Sequence, residues 1–349
     1  MTNQIRVLSD SDIQSLVDLQ QVINCVEAAY IGKARQQARL FAMVSEEIHK
    51  DRAEMDIKSG LINSEQVYGL KLVSWFGENS RKGLPNINGM MMLFDSETGL
   101  PKAMLNAKSL TAMRTGAAGA IGIKYLANKE ASVLLLIGTG GQAIFQIAAT
   151  LSAVPRINRV LVFNPLDYGD AVMFLHQVKN ALRKISNDFL DTRNSKWFER
   201  IDSCVFEVVA SVEEALKEAH AVITVTPSKK PLISAPWVLP GTHFSCVGAD
   251  MVGKQEIDQE IFSAARVIVD DVKQSTTYGE TQHAFRKGLV KEDQLIEMGD
   301  LISNTDLGRQ SEEDVTIFDT TGIALQDLMV ASYAVNKAKA MNIGTLIEL

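Results

Sequence analysis

The stretch Leu134-Leu-Leu-Ile137-Gly138-Thr139-Gly140-Gly141-Gln142-Ala143 decides the reading of the fold, because a buried strand there turns tightly into an apolar helix. That geometry makes a pyrophosphate site. Gly138 permits the turn, Gly140 lets the backbone approach the phosphates, and small Ala143 lets helix pack on strand while N–H groups at the helix start face the anion. Thr139, Gly141 and Gln142 complete the bend. Ordinary turns between strand and helix also carry such glycines, so the context matters. The next strand-like run, Arg159 to Phe163, ends at Asn164, where dinucleotide folds place the residue that meets the adenosine ribose.

Outward from this bend, residues 133 to 272 alternate strand-like and helical runs, the signature of parallel βαβ units. The strand-like runs are Val133 to Ile137, Val160 to Phe163, Phe206 to Val209, Ala221 to Val225, His243 to Val247 and Arg266 to Val269. Residues 166 to 200 read as an extended helix followed by a surface loop. Upstream, residues 10 to 37 read as one helix, with Leu16, Leu19, Val22, Ile23, Val26 and Tyr30 at helical spacing. From 38 to 110, short β-rich runs alternate with turn clusters, which indicates a mostly antiparallel sheet. Ser109 to Leu126 is helical, and Thr316 to Asp319 with Gly322 to Lys339 gives a last strand and a closing helix.

At 349 residues the chain is long enough for two domains, and 46% hydrophobic with 22% charged residues fits a globular protein rather than a disordered one. No apolar run reaches membrane-spanning length, and the first ten residues lack a signal-peptide pattern. Cys25, Cys204 and Cys246 form no disulfide framework, so a cytoplasmic setting is expected. The five histidines show no metal-ligand spacing, and no metal is expected. A net charge of −7 without a basic stripe argues against nucleic acid, leaving a small molecule as partner.

Four further segments set charged or polar residues among small ones: Gly69-Leu-Lys71, Met113-Arg114-Thr115-Gly-Ala-Ala118, Val247-Gly248-Ala-Asp250 with Lys254, and Asp319-Thr320-Thr321-Gly322. Lys71 sits in an apolar strand, where a lysine either snorkels to solvent or is held for chemistry. Arg114 precedes a run of Ala and Gly, where the guanidinium fork suits a bidentate clamp on a carboxylate, with a surface ion pair as the alternative. Asp250 follows a strand at the edge where such folds bind ligands; alternatively it caps a helix beginning near Lys254.

Together with Gly83-Leu-Pro85, Glu97-Thr-Gly-Leu-Pro101, Thr226-Pro227-Ser228-Lys-Lys-Pro231, Gly253-Lys-Gln-Glu256, Gly308-Arg309 and Asp319 through Ile323-Ala-Leu-Gln-Asp327, these segments resemble the ornithine cyclodeaminase and mu-crystallin family, most of all its alanine dehydrogenase and imine reductase branch. The resemblance spans nearly the whole chain, in order. It implies an α/β fold in which a Rossmann dinucleotide-binding domain, residues 119–319, is inserted in a discontinuous α+β substrate and dimerisation domain, residues 1–118 plus 320–349, with the active site between the two. It further implies a homodimer.

By the same resemblance Lys71 contacts the substrate and transfers a proton at its nitrogen, Asp250 takes a proton from an amino group, and Arg39 and Arg114 bind the substrate carboxylate. The surroundings of Arg39, Gln36-Gln-Ala-Arg39-Leu, differ from the family's. Cofactor contacts are expected from Asn86, Arg114, Thr115, the bend 138–143, Asn164, Thr226, Pro227, Ser228, Val247, Gly248, Asp250, Lys254, Thr320 and Thr321. Asn86 stands where a threonine is common. Asn164 is neutral and Asp167 and Asp170 would repel a phosphate, so NAD is favoured over NADP. The implied activity is oxidoreduction of a small amino or imino acid; cyclodeamination of ornithine or lysine and a non-catalytic binding role are the alternatives.

Overall fold

The computed structural model describes residues 4–189 and 195–348, and the side chains of Ser80 and of residues 186–189 are not described. The chain divides into two compact units, Met1–Arg114 with Ile323–Leu349, and Thr115–Gly322. These bounds lie a few residues from 118/119 and 319/320.

The first unit begins with β1 (Gln4–Leu8), α1 (Asp10–Leu16) and α2 (Leu19–Ala34). The single helix expected over 10–37 is two, because Val17 is extended and the Asp18 side chain accepts from Gln21 N–H, starting a new helix. Then come β2 (Ala38–Leu40), β3 (Val44–His49), β4 (Ala53–Ile62), β5 (Val67–Phe76), β6 (Ile87–Asp95), β7 (Pro101–Asn106) and α3 (Lys108–Leu126), which runs on into the second unit. Neither β1 nor β4 was among the expected strands: β1 is short, and in β4 Ala53, Met55 and Ile57 alternate with Glu54, Asp56 and Lys58, a period-two strand signal that ends in Ser59-Gly60.

The second unit holds β8 (Val133–Ile137), α4 (Ala143–Ala153), β9 (Arg159–Phe163), α5 (Tyr168–Phe189), α6 (Ser195–Ser203), β10 (Val205–Val208), α7 (Val212–Leu216) and β11 (Ala221–Thr224). It continues with β12 (Lys229–Ile233), β13 (His243–Cys246), β14 (Gln255–Ile257), β15 (Arg266–Val269), α8 (Val272–Thr277), α9 (Thr281–Arg286), β16 (Ile296–Glu297), α10 (Met298–Ser303) and β17 (Thr316–Asp319). The chain then returns to the first unit as α11 (Ala324–Met341) and β18 (Thr345–Glu348).

In the second unit an all-parallel sheet runs β10-β9-β8-β11-β13-β17-β15-β16. Strand order reverses at β8, which is where an open α/β sheet opens a crevice at the carboxyl ends of its strands. Leu134 to Ile137 are fully buried, as a strand covered on both faces requires, each contributing roughly 1.5–3 kcal/mol. This is a Rossmann fold inserted in a discontinuous α+β unit.

The first unit's sheet runs β18-β1-β7-β6-β5-β4-β2, with β3 on β4; β4 to β7 form an antiparallel meander, and β1 joins β7 in parallel. Side chains alternate between faces along β5. Val67, Gly69 and Lys71 point to the covered face, where α11 and α2 pack, and Leu72 to the exposed one.

Candidate active site

The covered face of the first unit buries a charged cluster. Lys71 on β5 is 1% exposed, and its Nζ lies 2.8 Å from Oδ2 of Asp327 on α11. Arg114 on α3 donates from Nε to the other oxygen, Oδ1, at 2.9 Å, and from Nη1 to Gln326 Oε1 at 3.1 Å. Gln326 in turn donates to the Tyr30 hydroxyl on α2. Held at two nitrogens, the guanidinium has a fixed orientation. Its fork meets Asp327 and Gln326, so the surface ion pair weighed for it is replaced by a buried one.

Electrostatics follow from burial. Desolvation, reinforced by the positive charge of Arg114 and Lys58, lowers the Lys71 pKa to about 7 against the pull of Asp327. Burial alone would raise the Asp327 carboxyl; Arg114 and Lys71 outweigh it and hold Asp327 below its ordinary range. A lysine titrating near neutrality can give or take a proton at working pH. Lys58 stands directly across from Lys71 in the β4–β5 register and is also buried.

Arg39 lies outside this arrangement, exposed on β2 with its guanidinium 5.4 Å from the Phe41 ring centroid. Asn86 belongs to the turn before β6, where its carbonyl accepts from Phe76 N–H at 2.8 Å.

In the second unit the bend after β8 has the geometry of an anion cradle. Gly138 has φ +111°, and a Cβ there would sit 2.8 Å from the Val225 carbonyl, so glycine is required. A Cβ at Gly140 or Gly141 would meet nothing within 4 Å, so the space is open beside the start of α4, where Ala143 N–H donates back to the Gly140 carbonyl at 3.0 Å and closes the bend. Ala143 is fully buried against the strand layer. Asn164 ties the bend to the end of β9, donating to Thr139 Oγ1 at 2.8 Å and accepting from Leu166 N–H at 2.8 Å. The backbone carbonyl of Thr115 accepts from Gln146 on α4 at 3.0 Å.

The other loops at this edge are braced by buried carboxylates. Glu256 accepts from Thr226 N–H (2.6 Å), Thr226 Oγ1 (2.8 Å) and Gly248 N–H (2.8 Å), joining two loops expected to line the cofactor. Glu280 accepts from the N–H groups of Glu256 and Ile257, each at 2.8 Å. Asp319 accepts from the N–H groups of Glu280 (3.1 Å) and Thr281 (2.9 Å) and from the Thr281 hydroxyl. Asp270 accepts from Thr320 and Thr321 hydroxyls, each at 3.1 Å, and from Gly322 N–H at 2.8 Å. Burial raises all four pKa values, to about 6 for Asp270 and about 7 for Asp319.

Pro227 and Ser228 follow Thr226 in the loop after β11, and Val247 begins the one after β13. Asp250 is half-exposed and ion-paired to Lys254 at 2.6 Å. The helix cap weighed for Asp250 does not form, because Lys254 leads into the strand β14.

Residues 3–342 match the model of the ornithine cyclodeaminase/mu-crystallin family. The chain belongs to that family. An alanine dehydrogenase of Archaeoglobus fulgidus is 35% identical over 347 residues, 98% of each protein. The iminosuccinate reductase of Paracoccus denitrificans, solved in complex with NAD+, superposes with a TM-score of 0.86 at 34% identity, covering 99% of this chain and 100% of that one. A Thermococcus litoralis Δ1-pyrroline-2-carboxylate reductase, solved with NADH and L-proline, gives a TM-score of 0.86 at 26% identity over 98% and 99% of the two chains.

Sequence reading had found Lys71, Arg114 and the bend, but gave no role to Lys58, Gln326, Asp327 or the four bracing acids. A signal for Asp327 existed: Gln326-Asp327 is a polar pair inside an otherwise apolar helix start.

Proposed function

We propose that the protein is an NAD-dependent oxidoreductase that interconverts a small imino acid and its amino acid. The observation that carries this reading is the buried Lys71–Asp327–Arg114 cluster in a chain that also holds a Rossmann bend with open space beside Gly140 and Gly141. Three curated relatives that align with 98% of this chain are named alanine dehydrogenase, iminosuccinate reductase and Δ1-pyrroline-2-carboxylate reductase, names that support oxidoreduction at a carbon–nitrogen bond.

When bound, the dinucleotide supplies or accepts the hydride. Its pyrophosphate would rest on the bend 138–143, its ribose near Asn164, and the rest along Thr226, Pro227, Ser228, Val247, Gly248, Thr320 and Thr321, with Asn86 and Thr115 as further contacts. The preference for NAD is supported by Asn164, whose side chain is engaged with Thr139 and the 164–167 turn, followed by Asp167 and Asp170 rather than a cation.

Lys71 protonates the imine-derived nitrogen in reduction and takes the proton back in oxidation, and Asp327 holds its ammonium in place. Arg114 receives the substrate carboxylate, its orientation fixed by Asp327 and Gln326. Arg39, on its edge strand, is the second arginine of the proposal. Asp250 with Lys254 forms an ion pair that can relay a proton at the Rossmann edge.

A homodimer is supported by the exposed face of the first unit's sheet, where Leu72 pairs across strands with Met90 and both are at least 40% exposed, beside the stacked Tyr68 and Phe94. An archaeal alanine dehydrogenase structure is itself described as a dimer with bound NAD. No described helix is long and apolar enough to cross a membrane, and three free thiols fit a cytoplasmic setting.

The test is NADH consumption at 340 nm with small 2-keto acids and ammonia. Turnover that requires ammonia is expected. No oxidation with any keto acid, or proline formed from ornithine without net NADH change, contradicts the reading.

A further inference from the structure

Glu256, Glu280, Asp319 and Asp270 of the second unit are buried, and none of them has an ion-pair partner among the described residues. A buried carboxylate without a cation must be held by hydrogen-bond donors or give up its charge. Counting donors separates the four. Glu256 has both oxygens engaged, Oε1 by the N–H and hydroxyl of Thr226 and Oε2 by Gly248 N–H. Asp319 is engaged at Oδ1 by Glu280 N–H and at Oδ2 by the N–H and hydroxyl of Thr281. The two oxygens of Asp270 receive the hydroxyls of Thr320 and Thr321 and the N–H of Gly322. Glu280 differs. Its Oε1 accepts from the N–H groups of Glu256 and Ile257, each at 2.8 Å, but its Oε2 is buried and has no hydrogen-bond partner among the described residues.

The groups that act on Glu280 are themselves acidic, Glu256 from β14 and Asp319 from β17, with the buried Cys246 of β13 facing all three. A negative charge at Oε2 would therefore be desolvated, without a donor, and repelled from two elements. A proton there removes the charge and leaves Oε1 to accept both N–H groups, and an unpartnered hydroxyl costs less than an unpartnered charge. In agreement, burial and the neighbouring Glu256 push the Glu280 carboxyl well above its ordinary range, whereas Asp270 and Asp319 reach about 6 and 7. The position of Glu280 makes this proton matter. Its backbone N–H is held by Asp319 at the end of β17, and its side chain holds the backbone of β14, from which Glu256 reaches the loops after β11 and β13.

We propose that Glu280 is a positioning residue that acts as a neutral carboxylic acid with its proton on Oε2, leaving Glu256 as the acceptor that keeps the Thr226 and Gly248 loops in the shape that receives the dinucleotide. This rests on the dinucleotide site of the reading above and assigns a role within it. Glutamine is isosteric with the neutral acid and can replace it. No amide can replace Glu256, because both of its oxygens accept from fixed donors and an amide nitrogen accepts from none.

The experiment measures NADH binding by fluorescence titration and carboxyl protonation by infrared spectroscopy at about pH 8, in wild type, Glu280→Ala, Glu280→Gln and Glu256→Gln. Glu280→Ala and Glu256→Gln should each weaken NADH binding about tenfold or more, and Glu280→Gln should recover it to within about threefold of wild type. Wild type should show the carbonyl stretch of a protonated carboxyl, and Glu280→Gln should lack it. A Glu280→Gln protein that binds NADH no better than Glu280→Ala, or that keeps the wild-type carboxyl band, overturns the proposal. Should Glu280→Gln fail to fold, the wild-type spectrum decides: a protonated-carboxyl band supports the assignment and its absence overturns it. A wild type that binds no NADH overturns the dinucleotide reading instead, and the infrared comparison still decides where the proton sits.

Discussion

The two units solve the problem of buried charge in opposite ways. On the covered face of the first, cations surround one carboxylate, and Asp327 is held by Lys71 and Arg114 at 2.8 and 2.9 Å. At the carboxyl edge of the second, Glu256, Glu280, Asp319 and Asp270 accept from backbone N–H groups and threonine hydroxyls. The pKa shifts follow the difference. Asp327 stays below its usual range while the four acids rise, and Lys71, desolvated by burial and crowded by Arg114 and Lys58, falls to about 7. In the function proposed, the first arrangement holds a proton donor for the substrate, whereas the second braces loops.

Removing the shared anion of the first unit should have the largest effect. Asp327→Ala leaves Lys71 and Arg114 buried without their counter-charge, and denaturant unfolding should show a loss of about 3–5 kcal/mol. A loss below about 1 kcal/mol would mean that the cluster is not closed in solution.

The second unit should respond to pH instead. Asp319 has its pKa raised to about 7 in the fold, so the folded state holds its proton more tightly than the unfolded one. Its stabilising contribution is complete below about pH 4 and is lost as pH rises through about 7. Lys71 contributes with the opposite slope, its share fully present above about pH 10 and lost as pH falls towards 7. Asp319→Asn should lower stability at every pH yet flatten its decline between pH 5 and 8, read from thermal midpoints. An unchanged slope would assign Asp319 no proton in the folded state.

Smaller effects distinguish the glycines of the bend. Gly140→Val, in open space, should leave stability within about 0.5 kcal/mol while weakening NADH binding about tenfold, measured by fluorescence titration. Equal loss of both would mean that the space belongs to the fold. The smallest shift is expected for Asn164→Asp, which should raise the preference for NADH over NADPH a few-fold, since a carboxylate accepts from the ribose hydroxyls and repels a 2′-phosphate.

What was legible in the sequence was local. The strand, glycines and helix of 134–153 are contiguous, and each carries its own signal, from the apolar run to Ala143. The cluster around Lys71 was legible only in part, since Arg114 and Asp327 are 213 positions apart and no periodicity links them. Lys58 was hidden because a charged residue on a strand ordinarily faces water, and the strand itself went unread. The bracing acids were passed over for the same reason: Glu256 and Glu280 look like surface residues until the backbone groups they satisfy are known.

The most direct test of the account compares wild type and Lys71→Met by NADH binding and by the pH profile of keto-acid reduction with ammonia. The wild-type rate should fall above about pH 7 as Lys71 loses its proton, and Lys71→Met should bind NADH within about threefold of wild type while losing 10²–10⁴ in kcat/KM. A Lys71→Met enzyme that turns over at the wild-type rate, with the same pH limb, would contradict it.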